Sequence, residues 1–187
     1  MPTAALFIDN SNFYHSLKDA RRLPFPPADY DKLFVELKKL KLELKQIYLY
    51  DAVKNSGIEP QQYVGQQKFH QEIRNLVPKW PIQIKTRKLK YRRINKGKDL
   101  LPEEKGIDVL LVIDAVKAAL SKNVEKIVIL SGDADFVPAV RFIEDELKVE
   151  TINLHLFEGS STELRSACKS HILIDFDKSD IVLRASK

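Results

Sequence analysis

Ala4-Ala5-Leu6-Phe7-Ile8-Asp9 is the stretch on which the fold turns: five apolar residues in succession, then an abrupt carboxylate. A short, wholly apolar run without alternation is the pattern of a central parallel strand covered on both faces. The pattern returns at residues 127–130, Ile-Val-Ile-Leu, which run into Ser131-Gly132-Asp133-Ala134-Asp135. Helices are expected over 12–21, over a segment whose apolar positions Tyr30, Leu33, Phe34, Leu37 and Leu40 keep helical spacing, and from Pro60 through the stripe Phe69, Ile73, Leu76 and Val77 to Pro78 and Pro81. Residues 46–52 read as a strand, 82–91 as a basic strand, and 92–105 as a long loop or ragged hairpin. A nearly continuous apolar helix over 108–120 serves as a crossover. It is followed by a helix over 136–147, a strand over 149–156, a short helix capped by Ser160 or Ser161, and a last edge strand at 172–174. This alternation predicts a three-layer α/β/α architecture around a mostly parallel central sheet with right-handed crossovers. The 187 residues suit one domain, 1–187, with its basic strand and loop at 85–105.

Composition narrows the function classes. With 44% hydrophobic and 30% charged residues and no low-complexity tract, the chain reads as globular rather than disordered. Apolar runs such as 109–113 stop far short of the roughly 18 residues a membrane span requires, and 4–8 is too short for a signal segment. The single cysteine, Cys168, excludes an internal disulfide framework and a multi-cysteine zinc site, so a reducing, cytoplasmic location is expected. No Walker-type or dinucleotide glycine pattern is present, and His15, His70, His155 and His171 lack the spacing of a metal motif.

Charge is concentrated. Lys85, Arg87, Lys88, Lys90, Arg92, Arg93, Lys96 and Lys98 fall within 85–98 with no acid among them, outweighing the whole chain's net +5, so the remainder is mildly acidic. Tyr91 and Tyr63 offer faces on which unpaired bases could stack. Polyanion binding and a lysine-guarded sheet edge both explain such a strand.

In open parallel sheets the functional crevice lies beyond the carboxyl ends of the strands, and here the residues at those ends are acids. Asp9 follows the first apolar strand, Asp133 and Asp135 follow the second, and Asp108 opens the crossover helix. Each could be a helix cap; together they exceed what capping needs. Carboxylates about 4 Å apart repel by roughly 4 kcal/mol at an effective dielectric near 20, and a hard divalent cation, Mg²⁺ or Mn²⁺, relieves that repulsion. Asp114, six residues after Asp108, lies some 240° round a helix at about 100° per residue, so the two cannot both face one ion from regular helical positions. Cys168 reads as a core thiol.

Phe7-Ile8-Asp9-Asn10-Ser11-Asn12, the block from Lys105-Gly106-Ile107-Asp108 to Ile113-Asp114-Ala115, and Leu130-Ser131-Gly132-Asp133-Ala134-Asp135-Phe136 resemble the signature blocks of NYN-domain proteins of the LabA-like group, which belong with the PIN-like nucleases. The resemblance implies a PIN-like fold and a metal-dependent ribonuclease site with Asp9, Asp108, Asp133 and Asp135 as its acids and metal ligands. It also implies Asn12 beside them and Asp114 at the family's usual spacing. Asn10 and Ser131 complete the auxiliary set. Relatives commonly carry an acid near Lys169 and an aromatic residue near His171, where this chain departs. RNA, single-stranded or structured, is the expected partner, held by 85–98 with bases on Tyr91; a homo-oligomer is left open. A non-catalytic RNA-binding or protein-interaction module, and a phosphatase of small esters, are the competing classes.

Overall fold

The computed structural model describes residues 1–94, 99–177 and 180–186; Lys96 and Lys98 lie outside the described residues. In chain order the elements are β1 (Thr3–Asp9), α1 (Asn10–Asp19), α2 (Pro27–Lys39), β2 (Glu43–Val53), α3 (Pro60–Arg74), β3 (Ile82–Lys88), β4 (Lys90–Ile94), β5 (Asp99–Glu103), α4 (Ile107–Ser121), β6 (Lys126–Leu130), α5 (Val137–Asp145), β7 (Glu150–His155), α6 (Thr162–Ala167), β8 (Ser170–Asp177) and β9 (Asp180–Ser186).

Seven strands form one sheet in the order β3-β2-β1-β6-β7-β8-β9, parallel throughout except for the β8–β9 pair. β1 shows why its sequence is apolar at every position. Ala4, Leu6 and Ile8 enter a core beneath α1 and α2, formed with Phe13, Leu17, Tyr30, Leu33, Phe34 and Leu37. Ala5 and Phe7 enter a second core on the other face, built with Leu111 and Ala115 of α4, Val140 and Ile143 of α5, and Leu164 of α6. The result is the expected three-layer α/β/α, PIN-like fold. No helix among the described residues is long and apolar enough to cross a membrane.

The chain runs outward from β1 through β2 to β3, then returns under α4 to insert β6 on the other side of β1 and continues through β7 to β8. The direction of winding therefore reverses between β1 and β6, and such a switch point opens a crevice at the carboxyl ends of the two strands. Asp9 closes β1, and Ser131 follows β6, at that crevice.

Three expectations need correction. The basic strand is divided: β3 stops at Lys88 because its partner β2 stops at Val53, and Lys90 onward pairs instead with β5 as a separate antiparallel hairpin. Segment 172–174 is neither so short nor last, since β8 spans Ser170–Asp177 and β9 takes the edge, tied to it by Arg184 to Asp175 at 2.8 Å. Finally, α3 ends at Arg74, leaving Val77 exposed beyond it, and Leu40 is exposed past the end of α2.

Candidate active site

Asp9 is 5% exposed and uses both carboxylate oxygens. Oδ1 accepts the Asn12 N–H at 3.1 Å and so caps α1, while Oδ2 accepts the Ser131 hydroxyl at 3.0 Å. Capping and a role in the crevice are therefore not alternatives for this residue. The same Ser131 oxygen accepts the Asp133 N–H at 3.1 Å, so one hydroxyl joins the acid at the end of β1 to the turn that follows β6.

That turn is braced on three sides. Asn12 of α1 accepts the Gly132 N–H on its amide oxygen at 2.8 Å, and the Gly132 carbonyl accepts the Ser161 N–H at 2.9 Å. Asp133 accepts the Asp135 N–H at 2.9 Å and caps a one-turn 3-10 helix, Ala134–Phe136, that leads into α5. The Asp133 carboxyl is partly buried, whereas Asp135 is exposed at the mouth.

Asp108 stands in the first turn of α4, after Gly106, which adopts a positive φ of 79°. Partial desolvation raises its pKa, and the charges of Asp133 and Asp135 raise it further. Asp9 responds to the same field: burial pushes its pKa up to about 6, the charges of Asp108 and Asp133 add to that, and the bonds from Asn12 and Ser131 oppose it. The four acids predicted from sequence thus share one electrostatic neighbourhood. Glu104, which the sequence reading passed over as loop, joins them. Desolvation of its carboxyl and the charges of Asp9, Asp108 and Asp51 push its pKa up to about 7 against a hydrogen bond from Ser11.

Asp114 lies seven residues after Ile107 within α4 and makes a contact of its own. It accepts the Tyr50 hydroxyl at 2.9 Å, toward β2. Asn10 turns away from the acids, accepting the Tyr30 hydroxyl at 2.7 Å in the α2 layer. A second polar group missed by the sequence reading closes β2: Asp51, buried, accepts Gln66 at 2.8 Å and meets His70 Nε2 at 2.7 Å. His155 and His171 meet each other at 3.1 Å, and Cys168 is a buried thiol whose pKa burial pushes up to about 11.

Among the described residues no three Asp, Glu, His or Cys side chains are gathered closely enough to form a ready-made metal cage. The donors that do converge are hard oxygens, and Mg²⁺ binds through one or two carboxylates while keeping several waters, so a hydrated ion fits this set. The charge imbalance has a measurable consequence with divalent ions chelated. Asp9 has a folded-state pKa of about 6 against 3.8 for the ordinary carboxyl, so the stability it contributes is fully present below 3.8 and lost as pH rises through 6. That difference amounts to about 3 kcal/mol. Urea unfolding should therefore show Asp9→Asn gaining on the wild type by about that much between acid and mildly alkaline pH; parallel pH profiles would contradict the burial of an unpaired charge.

The basic residues lie on β3, at the sheet edge, and on the hairpin that follows it. Lys85 and Arg87 project on the α4 face of β3, opposite Tyr50 and Ala52 of β2. The Lys85 ammonium lies 5.4 Å from the Tyr48 ring, and the Arg87 guanidinium lies against Gly106 at the start of α4. Lys88 ends β3, and Lys90, Arg92 and Arg93 belong to the hairpin, with Arg92 paired to Glu103 at 3.1 Å. The Tyr91 hydroxyl is engaged at the start of α3, donating to Glu59 and accepting the Asn55 N–H at 3.1 Å. Lys169 gives its N–H to Glu144 at 2.7 Å and its charge acts on Glu150, the first residue of β7. It stands at the amino ends of the parallel strands, across the sheet from Asp9.

A sequence model of the NYN domain matches residues 3–175. Among solved structures, a Vibrio parahaemolyticus RIMD 2210633 protein of unknown function, VPA0982, superposes with a TM-score of 0.67 over 97% of this chain and 96% of its own. At 20% identity that likeness shows the fold alone. No curated protein matches the chain.

Proposed function

The chain belongs to the NYN domain family, which is nuclease-like in the PIN manner, and from that premise we propose that it is a metal-dependent ribonuclease hydrolysing RNA phosphodiester bonds. The observation that carries this reading is the Ser131 hydroxyl shared by Asp9 and the Asp133 turn at the switch point, with the charge of Asp108 acting on Asp9 and that of Asp133 on Asp108. Asp9, Asp108, Asp133 and Asp135 would hold Mg²⁺ or Mn²⁺, which supplies an activated water and neutralises charge on the leaving oxygen. Ser131 and Asn12 fix the carboxylates that surround the scissile phosphate. Arg87 and Lys85 bind the flanking phosphates, and Lys88, Lys90, Arg92 and Arg93 extend that track along the hairpin, with the Tyr91 ring beside it. The buried free thiol of Cys168 suits a reducing compartment, and the reading assigns the protein to the cytoplasm.

Labelled single-stranded and duplex RNA incubated with Mg²⁺ or Mn²⁺ should be cut, and chelation should stop the cutting. Salt-sensitive binding without turnover under either ion would make the protein a binding module; turnover of a generic phosphate ester in place of RNA would make it a phosphatase. The track is tested separately. Arg87→Ala and Lys85→Ala should each weaken RNA binding and lower the slope of log affinity against log salt by about 0.7, the value for one contact to a single strand. An unchanged slope would remove that residue from the path.

A further inference from the structure

In a parallel sheet covered on both faces a central strand presents apolar side chains to both layers. β7 breaks that rule. Ile152 and Leu154 face the α1 and α2 core, but Thr151, Asn153 and His155 alternate on the opposite face, all of them buried. Thr151 is satisfied by Glu144, and the His155 ring by the Leu156 carbonyl at 2.9 Å and by His171. Asn153 differs. At 0% exposure its Nδ2 donates across the sheet to the Ile129 carbonyl at 3.2 Å and the Ser131 carbonyl at 2.8 Å, while its Oδ1 has no partner.

A buried amide with an unpaired acceptor is unfavourable in itself, and sequences break local rules of this kind mostly where function requires it. The compensating contact is specific. The carbonyl that Asn153 holds belongs to Ser131, whose hydroxyl binds Asp9 and anchors the Asp133 N–H. Gly132 and Asp133 follow directly in the chain, so fixing the Ser131 peptide sets the direction in which the turn leaves β6. We infer that Asn153 is a positioning residue: acting through Ser131, it holds the turn that presents Asp133 and Asp135 to Asp9. Its effect on catalysis rests on the ribonuclease reading; its hold on the turn does not.

Kinetics and local amide exchange separate this role from general packing. Asn153→Ala should lower kcat for RNA by about 30-fold, as expected when catalytic groups shift by a fraction of an ångström, with KM changed less than about twofold. Amide hydrogen exchange over 132–135 should quicken by at least about tenfold in Asn153→Ala, with β1 amides unchanged. Asn153→Ser, too short to reach β6, should reproduce both effects if the alanine variant folds poorly. Unaltered exchange over 132–135, or exchange quickened equally in β1, would overturn the inference. A wild type that cuts no RNA would retire the ribonuclease reading alone, and exchange would still decide whether Asn153 holds the turn.

Discussion

Asp9→Asn should abolish divalent-dependent RNA cleavage, lowering kcat by about 10³-fold or more while the protein folds as before. The asparagine keeps the shape of the side chain and one carbonyl oxygen, which can still accept the Asn12 N–H and cap α1. What is lost is the buried negative charge at the junction of β1 and β6, on which the charges of Asp108 and Asp133 act. Folding should not suffer, because removing a charge whose burial is unfavourable relieves the chain rather than straining it. Circular dichroism establishes the fold and gel-resolved cleavage of labelled RNA establishes the rate. A variant retaining more than about a tenth of wild-type activity would exclude Asp9 from the chemistry.

Gly132→Ala should destabilise the protein by on the order of 4 kcal/mol, at the severe end for a single methyl group. Backbone strain is not the cause. A Cβ at Gly132 would stand 1.8 Å from the Gly159 carbonyl oxygen and 2.7 Å from its carbon, both backbone atoms that cannot rotate away. To admit the methyl, segment 159–161 must withdraw, breaking the Ser161 to Gly132 bond of 2.9 Å, or the turn after β6 must shift. The second route moves Ser131 and Asp133, so activity should fall even where folding survives at low temperature. Urea unfolding at constant m-value measures the effect, and a loss under about 1 kcal/mol would mean that the two loops are not in contact.

The architecture was legible because burial on both faces leaves little freedom in sequence. Ala4 to Ile8 could be only an interior strand, and the abrupt Asp9 marked its carboxyl end, at the crevice. Asp133 and Asp135 were legible by the same sign. Asp51 carries it too, closing Ile47-Tyr48-Leu49-Tyr50, yet its partner His70 is 19 residues away on α3 and nothing local announces the pair. Glu104 was hidden for another reason: its carboxyl meets Ser11 only because β4 and β5 fold back as a hairpin before α4 begins. The one local hint was an acid four residues ahead of Asp108. β9 was missed because an edge strand buries little and its apolar run, Ile181-Val182-Leu183, is only three residues long between Asp180 and Arg184; among its side chains Ile181 enters the core. Helical periodicity sets Asp114 on a different side of α4 from Asp108, and there it accepts the Tyr50 hydroxyl.

The central claim is that carboxylates distant in sequence make one site that requires a cation. Titration of Mn²⁺ followed by electron paramagnetic resonance at mildly alkaline pH tests it without reference to substrate. Wild type should quench the free Mn²⁺ signal by stoichiometric binding, and Asp9→Asn combined with Asp133→Asn should not. Equal binding by the two proteins, or none by either, would contradict a metal site at the junction of β1 and β6.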